Sequence, residues 1–334
     1  MKRVYLLLTM AALFGSCSGS GGNGNTGVEA DSAASDSCHT ITEKTMEPAV
    51  AKSVRKHEAD YFFVVFDSDH EDFINFGNSI DILQNHPVKG GVAPAISPDG
   101  KSIAYTEVDL EYRTVHILDL ETATDRTLDF GDHDVYSRSY SPDGNFLTLN
   151  YCNDNSEWKV AIYNLANDTY TFPQNQKQGE FHAPTFSPDG KYLVFHDMQK
   201  VYIMTFNNGT TELYRTVNCQ DMCQQNDLAV NADCKFQLAG DHKHLVFNCA
   251  DYSADRRDVN RLMYYDIETG AVEQLLAEDY SAIDFHISDD GNIYYLQGFP
   301  NYQTKVYMIS LSDLKSTRIS QKEFGKFSSL SVAY

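Results

Sequence analysis

From Asp60 onward the chain alternates apolar and polar residues in short runs broken by turn residues. Tyr61-Phe62-Phe63-Val64-Val65-Phe66 is the first run, and Asp72 to Phe76 and Ser79 to Leu83 are the next two. A period of two over so few residues predicts β-strands with one face buried. Before Asp60 the pattern differs. Thr45 to Lys56 has weak helical character, and residues 18–37 are Ser, Gly, Asn, Ala and Asp with almost no large apolar side chain. That composition predicts a solvated tether. The tether's Gly19-x-Gly21-x-x-Gly24 has no strand before it and no helix after it, so it does not read as a dinucleotide loop.

The strands recur as a unit. His182-Ala-Pro-Thr-Phe-Ser-Pro-Asp-Gly-Lys-Tyr-Leu-Val-Phe195 reads as strand, tight turn, strand. Ser-Pro-Asp-Gly occurs intact at 97–100, 141–144 and 187–190. Degraded copies stand at Ala239-Gly240-Asp241-His242 and Ser288-Asp289-Asp290-Gly291. The second turn positions, 98, 142, 188, 240 and 289, are 44, 46, 52 and 49 residues apart. About four strands fit in each interval, which predicts a β-propeller. The turn chemistry agrees: Pro presets the first corner, Asp bonds nearby backbone, and Gly accepts the positive φ that follows. Five units leave strands over at both ends. The run 327–334 looks like an inner strand and Asp60 to Leu83 like three outer ones. The expected fold is therefore all-β: a six-bladed propeller of four-stranded blades, the ring closed by the C-terminal strand joining the N-terminal strands.

The repeated Phe-Ser-Pro-Asp-Gly-Lys-x-Leu-x-Phe pattern resembles the TolB-type propeller repeat, strongly over residues 90–300 and by extension over 60–334. The resemblance implies the fold more than a function. The repeat occurs in TolB, a periplasmic partner of a peptidoglycan-associated lipoprotein. It also occurs in propeller lids of serine peptidases and in oligogalacturonate lyases. A short tether stands where TolB has an α/β domain, so TolB's own partners are not carried over.

Lys2 and Arg3, followed by the apolar run Val4 to Phe14, form a signal sequence too short to span a bilayer. Phe14-Gly15-Ser16-Cys17 resembles a bacterial lipobox, with Cys17 as the lipidated residue. The expected division is a signal peptide at 1–16, a lipid-anchored tether at 17–57 and a propeller at 58–334. The place is the bacterial cell envelope, on the outer membrane facing the periplasm or the cell surface. Six cysteines follow Cys17. In an exported chain, Cys219, Cys223, Cys234 and Cys249 are expected to form one or two disulfides. The loose Cys219-x₃-Cys223 spacing argues against zinc.

The chain of 334 residues carries 47 acidic and 26 basic side chains, a net charge of −21. Such a field excludes nucleic acid as a natural partner and suits solubility, cations or basic protein patches. No Gly-x-Ser-x-Gly elbow, His-Glu-x-x-His or phosphate loop is present. Asp67-x-Asp69-x-Glu71 starts like a calcium loop but lacks its later glycine and glutamate, so it reads as a solvated acidic loop. The leading ends of the inner strands gather at one mouth of a propeller. They offer Asp132, His133, Asp134, Glu180, His182, Asp233 and Asp279 as a candidate binding rim for a basic peptide or a divalent cation; no other cofactor is implied. The expected function is a non-catalytic, monomeric module that binds an envelope protein or a small ligand at that mouth. The alternative is a metal-dependent carbohydrate-active enzyme of the oligogalacturonate lyase kind, using His182, His242, His244 and His286 as metal ligands.

Overall fold

The computed structural model describes residues 62–67, 73–87, 91–108, 113–176, 178–223, 228–252, 259–276, 280–298, 303–325 and 327–333. The signal sequence, Cys17, Cys38, the tether, the loop at 68–72 and Asp279 lie outside them.

The fold is an all-β propeller of antiparallel blades, as the two-residue periodicity predicts. The first sheet contains β1 (Phe62–Asp67), β2 (Phe73–Ser79) and β3 (Ile82–Pro87). The second contains β4 (Val92–Ile96), β5 (Ser102–Val108), β6 (Arg113–Asp119) and β7 (Asp125–Thr127). The third contains β8 (Val135–Tyr140), β9 (Phe146–Cys152), β10 (Trp158–Asn164) and β11 (Thr169–Thr171). The fourth contains β12 (His182–Phe186), β13 (Tyr192–His196), β14 (Lys200–Asn207) and β15 (Thr210–Asn218). A one-turn helix, α1 (Cys219–Met222), then leads to β16 (Leu228–Ala229) and β17 (Phe236–Leu238). Both pair with β18 (His244–Asp251), followed by β19 (Val259–Asp266) and β20 (Val272–Gln274). The last sheet contains β21 (Ser281–Ile287), β22 (Asn292–Gly298), β23 (Thr304–Ser310) and β24 (Ser316–Arg318). Finally β25 (Phe327–Ala333) pairs antiparallel with β1, with Phe63 opposite Val332 and Val65 opposite Leu330. The described residues thus make five four-stranded sheets and one of five strands.

Two sequence expectations shift. The strands expected at Asp72–Phe76 and Ser79–Leu83 are β2 and β3: Ser79 pairs with Ile82 and so ends β2, the turn falls at Ile80-Asp81, and β3 starts later and runs on to Pro87. Helix α1 and strand β16 fill the longest repeat interval, where the sequence pattern predicted no element.

Six apolar clusters hold the sheets together, each spanning two of them. Ala104 and Val115 pack with Leu147 and Leu149; Val160 and Phe146 with Leu193 and Phe195. Val194 and Ile203 meet Phe236 and Phe247; Val246 and Leu262 meet Phe285 and Tyr295. Tyr294 and Leu296 then pack with Phe63, Val65 and Leu330, and Ile74 and Ala333 with Ile96 and Ile103. Strand residues alternate faces, so each central strand feeds the clusters on both of its sides.

The repeated turn is built as its chemistry predicts. In the first copy Gly100 N–H donates to Ser97 O at 2.9 Å, and Ser97 Oγ donates to Asp99 Oδ1 at 2.6 Å. Ser97 Oγ also accepts from Ser102 N, so the serine latches the start of the next strand. The fourth copy keeps the bend without serine, proline or glycine in register: His242 N–H donates to Ala239 O at 3.0 Å, and His242 takes φ +59°.

The structure shows no disulfide among the described residues. Cys152, Cys219, Cys223, Cys234 and Cys249 are free thiols. The last four do converge, in the apolar layer beside Val194, Phe236 and Phe247. There they act as small hydrophobic side chains. An oxidising compartment makes bridging possible, but packing decides where each sulfur points.

Candidate functional site

A cavity of about 350 Å³ is lined by β4, β8, β12, β17, β21 and β25 with their flanking residues. A chain of hydrogen bonds joins these strands. Ile96 N donates to Ser331 Oγ, and Ser137 Oγ to Ala93 O. Ser139 Oγ donates to Pro184 O at 3.5 Å, and Thr185 Oγ1 to Phe236 O. Gln237 and Ile287 exchange two bonds, and Leu330 N donates to Asp284 Oδ2 at 2.9 Å.

The wall is shaped by bulges. Ala93 and Pro94 together face the single residue Tyr105, and Ala183 and Pro184 face Phe195. Arg138, Ile283 and Ser328 are single extra residues in β8, β21 and β25. A bulge re-aims side chains and ends regular pairing. Here Pro94, Arg138, Pro184, Ile283 and Ser328 all reach the cavity. Ala93 and Ala183 adopt φ of 52° and 48°, each followed by a proline that has no N–H to leave unpaired.

Of the charged side chains that line the cavity, Lys235, Asp284, Arg138 and Asp233 define the chemistry, and Asp289 lies on the turn after β21. Lys235 Nζ binds Asp284 Oδ1 at 3.2 Å and the carbonyl of Phe285, while Asp284 also accepts from the backbone of Phe285 and Leu330. That pair is internally satisfied. Arg138 is not. Its Nε donates to Asn150 Oδ1 at 2.7 Å, and Asn150 is itself fixed by donating to Phe181 O. Arg138 also lies 5.7 Å from the centre of the Tyr136 ring. Among the described residues no acceptor meets its terminal nitrogens. Burial lowers its pKa, against the pull of Asp233 and Asp284. Asp233 is exposed at the cavity edge, and no side chain among the described residues bonds its carboxylate.

Behind the wall, His182 packs against His196 with ring centres 5.7 Å apart. Burial, then the charge of Arg138, pushes His182 down to about 4; burial and the neighbouring His182 push His196 down to about 3. His196 Nε2 bonds the carbonyl of Cys234 at 2.8 Å. His182 Nε2 is buried without a hydrogen bond and lies 3.8 Å from Glu180 Oε2. His286 lines the cavity; burial, then Lys235, pushes it down to about 3.

The expected rim therefore separates into two places. Asp233 stands at the cavity, with Glu180 and His182 just behind its wall. Asp132, His133 and Asp134 instead line a second, shallow cleft with Asp129, Asn153 and Asp154. Asp134 is engaged by Arg113 at 2.7 Å, and His133 Nδ1 bonds Cys152 O at 3.0 Å. Asp279 lies outside the described residues. The four histidines of the lyase reading do not meet. His242 binds Asp189 at 2.9 Å and His244 binds Asp241 at 2.6 Å on the turns, whereas His182 and His286 belong to different inner strands. Among the described residues no group of three or more His, Cys, Asp or Glu side chains is arranged to hold a metal ion.

Sequence reasoning missed Arg138, Lys235, Asp284 and Gln237. One signal was available. Arg138 stands three residues before Ser141, where the neighbouring repeats carry Pro94 and Pro184 before Ser97 and Ser187. A cation that replaces a structural proline in one copy of a repeat marks a departure from pure scaffolding. The turn prolines Pro98, Pro142 and Pro188 also line the cavity, so the motif that builds the fold forms part of the site's wall.

No protein-family model and no curated protein matches the sequence. Solved structures do match the fold. TolB from Acinetobacter baumannii aligns with TM-score 0.58 and 17% identity over 82% of this chain and 66% of that one, so the chain spans about two thirds of its length. A TolB-annotated structure from Agrobacterium tumefaciens aligns with TM-score 0.54 and 14% identity over 83% and 99% of the two chains. A chain of a nidogen/laminin complex aligns with TM-score 0.53 and 11% identity over 82% and 99%. At these identities the likeness is one of fold: this chain is a β-propeller whose fold is similar to that of the TolB structures.

Proposed function

We propose that the chain is a non-catalytic lipoprotein of the bacterial envelope whose propeller binds a protein partner or a small ligand at the central cavity. The observation that carries this reading is the cavity itself, with inner strands from every sheet in its wall and charged groups at its edge. Propellers with this fold include complexes between proteins, as the nidogen/laminin pair does by its own name. The β25–β1 pairing and the apolar clusters favour six blades in a closed ring, a rigid frame for such a contact. The anchor rests on the Phe14-Gly15-Ser16-Cys17 motif, and replacing Cys17 with Ala is expected to release the protein from membranes.

The test is site-specific photocrosslinking in intact cells. A crosslinker at Asp233 or Ser328 is expected to capture a discrete envelope protein or ligand, and one at Thr171 on the outer strand is not. Capture confined to Thr171, or none at either cavity position, overturns the reading.

A further inference from the structure

Among the described residues Arg138 is the one cavity cation held by a neutral acceptor alone. Lys235 spends its charge on Asp284, whereas Arg138 is fixed only through Nε and Asn150. Fixing Nε orients the plane of the guanidinium and leaves the terminal nitrogens as a rigid fork. A half-buried cation without a counter-ion is costly, and a planar fork matches the two oxygens of a carboxylate. Asp233 supplies the second half of the pattern: a carboxylate at the cavity edge with no side-chain partner among the described residues. Its charge acts on Arg138, yet the two do not pair. A dianionic phosphate on Arg138 would meet repulsion from both Asp233 and Asp284. A carboxylate accompanied by a cationic or polar N–H group would meet complementary charge at both ends.

We infer that the central cavity is a receptor for a peptide C-terminus, with the terminal carboxylate bidentate on Arg138 and Asp233 facing donor or cationic groups of the same ligand. This deepens the proposed contact surface by naming the chemistry it recognises. The cavity volume of about 350 Å³ holds a terminal residue or two rather than a folded domain.

The full-length protein is incubated with two pools of random tripeptides, identical except that one has free and the other amidated C-termini. Retained peptides are counted by mass spectrometry, and the melting temperature is followed in parallel. The free-acid pool is expected to be retained and to raise the melting temperature, with the amidated pool at least about tenfold weaker. Arg138→Gln should lose retention, while its own melting temperature without ligand should not fall, because a half-buried cation with no ion-pair partner among the described residues has been removed. Arg138→Lys keeps the charge and loses the fork, so it should bind more weakly than the parent. Asp233→Asn should weaken binding without abolishing it. Competition by free amino acids at similar concentration would assign the carboxylate to single amino acids and overturn the peptide assignment. Equal retention of both pools, retention by neither, or stabilisation by inorganic phosphate alone would overturn the inference. The proposed envelope contact fails separately, in the crosslinking experiment, if a partner is captured only elsewhere.

Discussion

Gln237 and Ile287 exchange two hydrogen bonds across neighbouring sheets: Gln237 Nε2 donates to Ile287 O at 3.1 Å, and Ile287 N donates to Gln237 Oε1 at 2.8 Å. The same amide also donates to Phe186 O at 3.2 Å, so one buried side chain ties three inner strands together. Gln237→Leu keeps the approximate volume but leaves three buried backbone groups without a partner. The expected loss is about 3 kcal/mol, at roughly 1 kcal/mol or more per orphaned group. Urea unfolding measures it; a loss below about 1 kcal/mol would mean that water replaces the amide.

The turns touch one another around the cavity. Gly190 has φ +71°, and a Cβ added there would lie 3.3 Å from Pro142 Cδ, whereas at Gly291, with φ +78°, it would meet nothing within 4 Å. Both positions penalise an L side chain, but only Gly190 adds a contact between neighbouring turns. Gly291→Ala should cost about 1 kcal/mol through its backbone alone, and Gly190→Ala clearly more. Equal melting temperatures for the two variants would dismiss the turn-to-turn contact.

Acid should unfold this protein through its buried histidines. His196 is held neutral, with its pKa pushed down to about 3, and His182 to about 4. An unfolded histidine titrates near 6.5 (roughly), so below that pH the unfolded state takes up protons that the native state refuses. Stability is therefore complete above about pH 6.5 and falls as pH drops toward the native values, by roughly 2 kcal/mol at pH 5 for a fully buried ring such as His196. Urea midpoints measured from pH 7.5 to pH 5 should decline, and His196→Gln should flatten the decline. A flat profile in the parent protein contradicts the neutral assignment.

The four clustered thiols should differ in reactivity. Burial pushes Cys219 up to about 12 and Cys234 up to about 11, while the Cys249 thiol donates to Cys223 and holds Cys223 low. The thiolate is the nucleophile, so Cys223 should be alkylated by iodoacetamide before Cys219, Cys234 and Cys249 in the native protein. Peptide mass spectrometry after brief exposure reads the order, and prior modification of Cys234 would refute it.

The amino-acid sequence by itself determined the repeat, the strand order and the turn geometry. These follow from local rules: a two-residue alternation makes strands, and Ser-Pro-Asp-Gly makes the bend. Even the degraded turn at 239–242 was legible, because Lys243-His244-Leu245-Val246-Phe247 repeats the strand after Gly190. The site was legible only in part. Asp233 was found by counting back from the turn, but the same count placed Asp132 to Asp134 at the cavity, and they line a separate cleft. The count assumes a straight strand. A bulge inserts a residue and turns the ones before it to another face, and single-residue bulges at Arg138, Ile283 and Ser328 do so in three inner strands. Which charges remain unpaired was likewise beyond local rules. Lys235 and Asp284 lie 49 residues apart in the chain and satisfy each other, while among the described residues Arg138 finds an amide in place of a carboxylate. Pairing in a cavity depends on distances between strands far apart in the chain, and only the tertiary structure sets those.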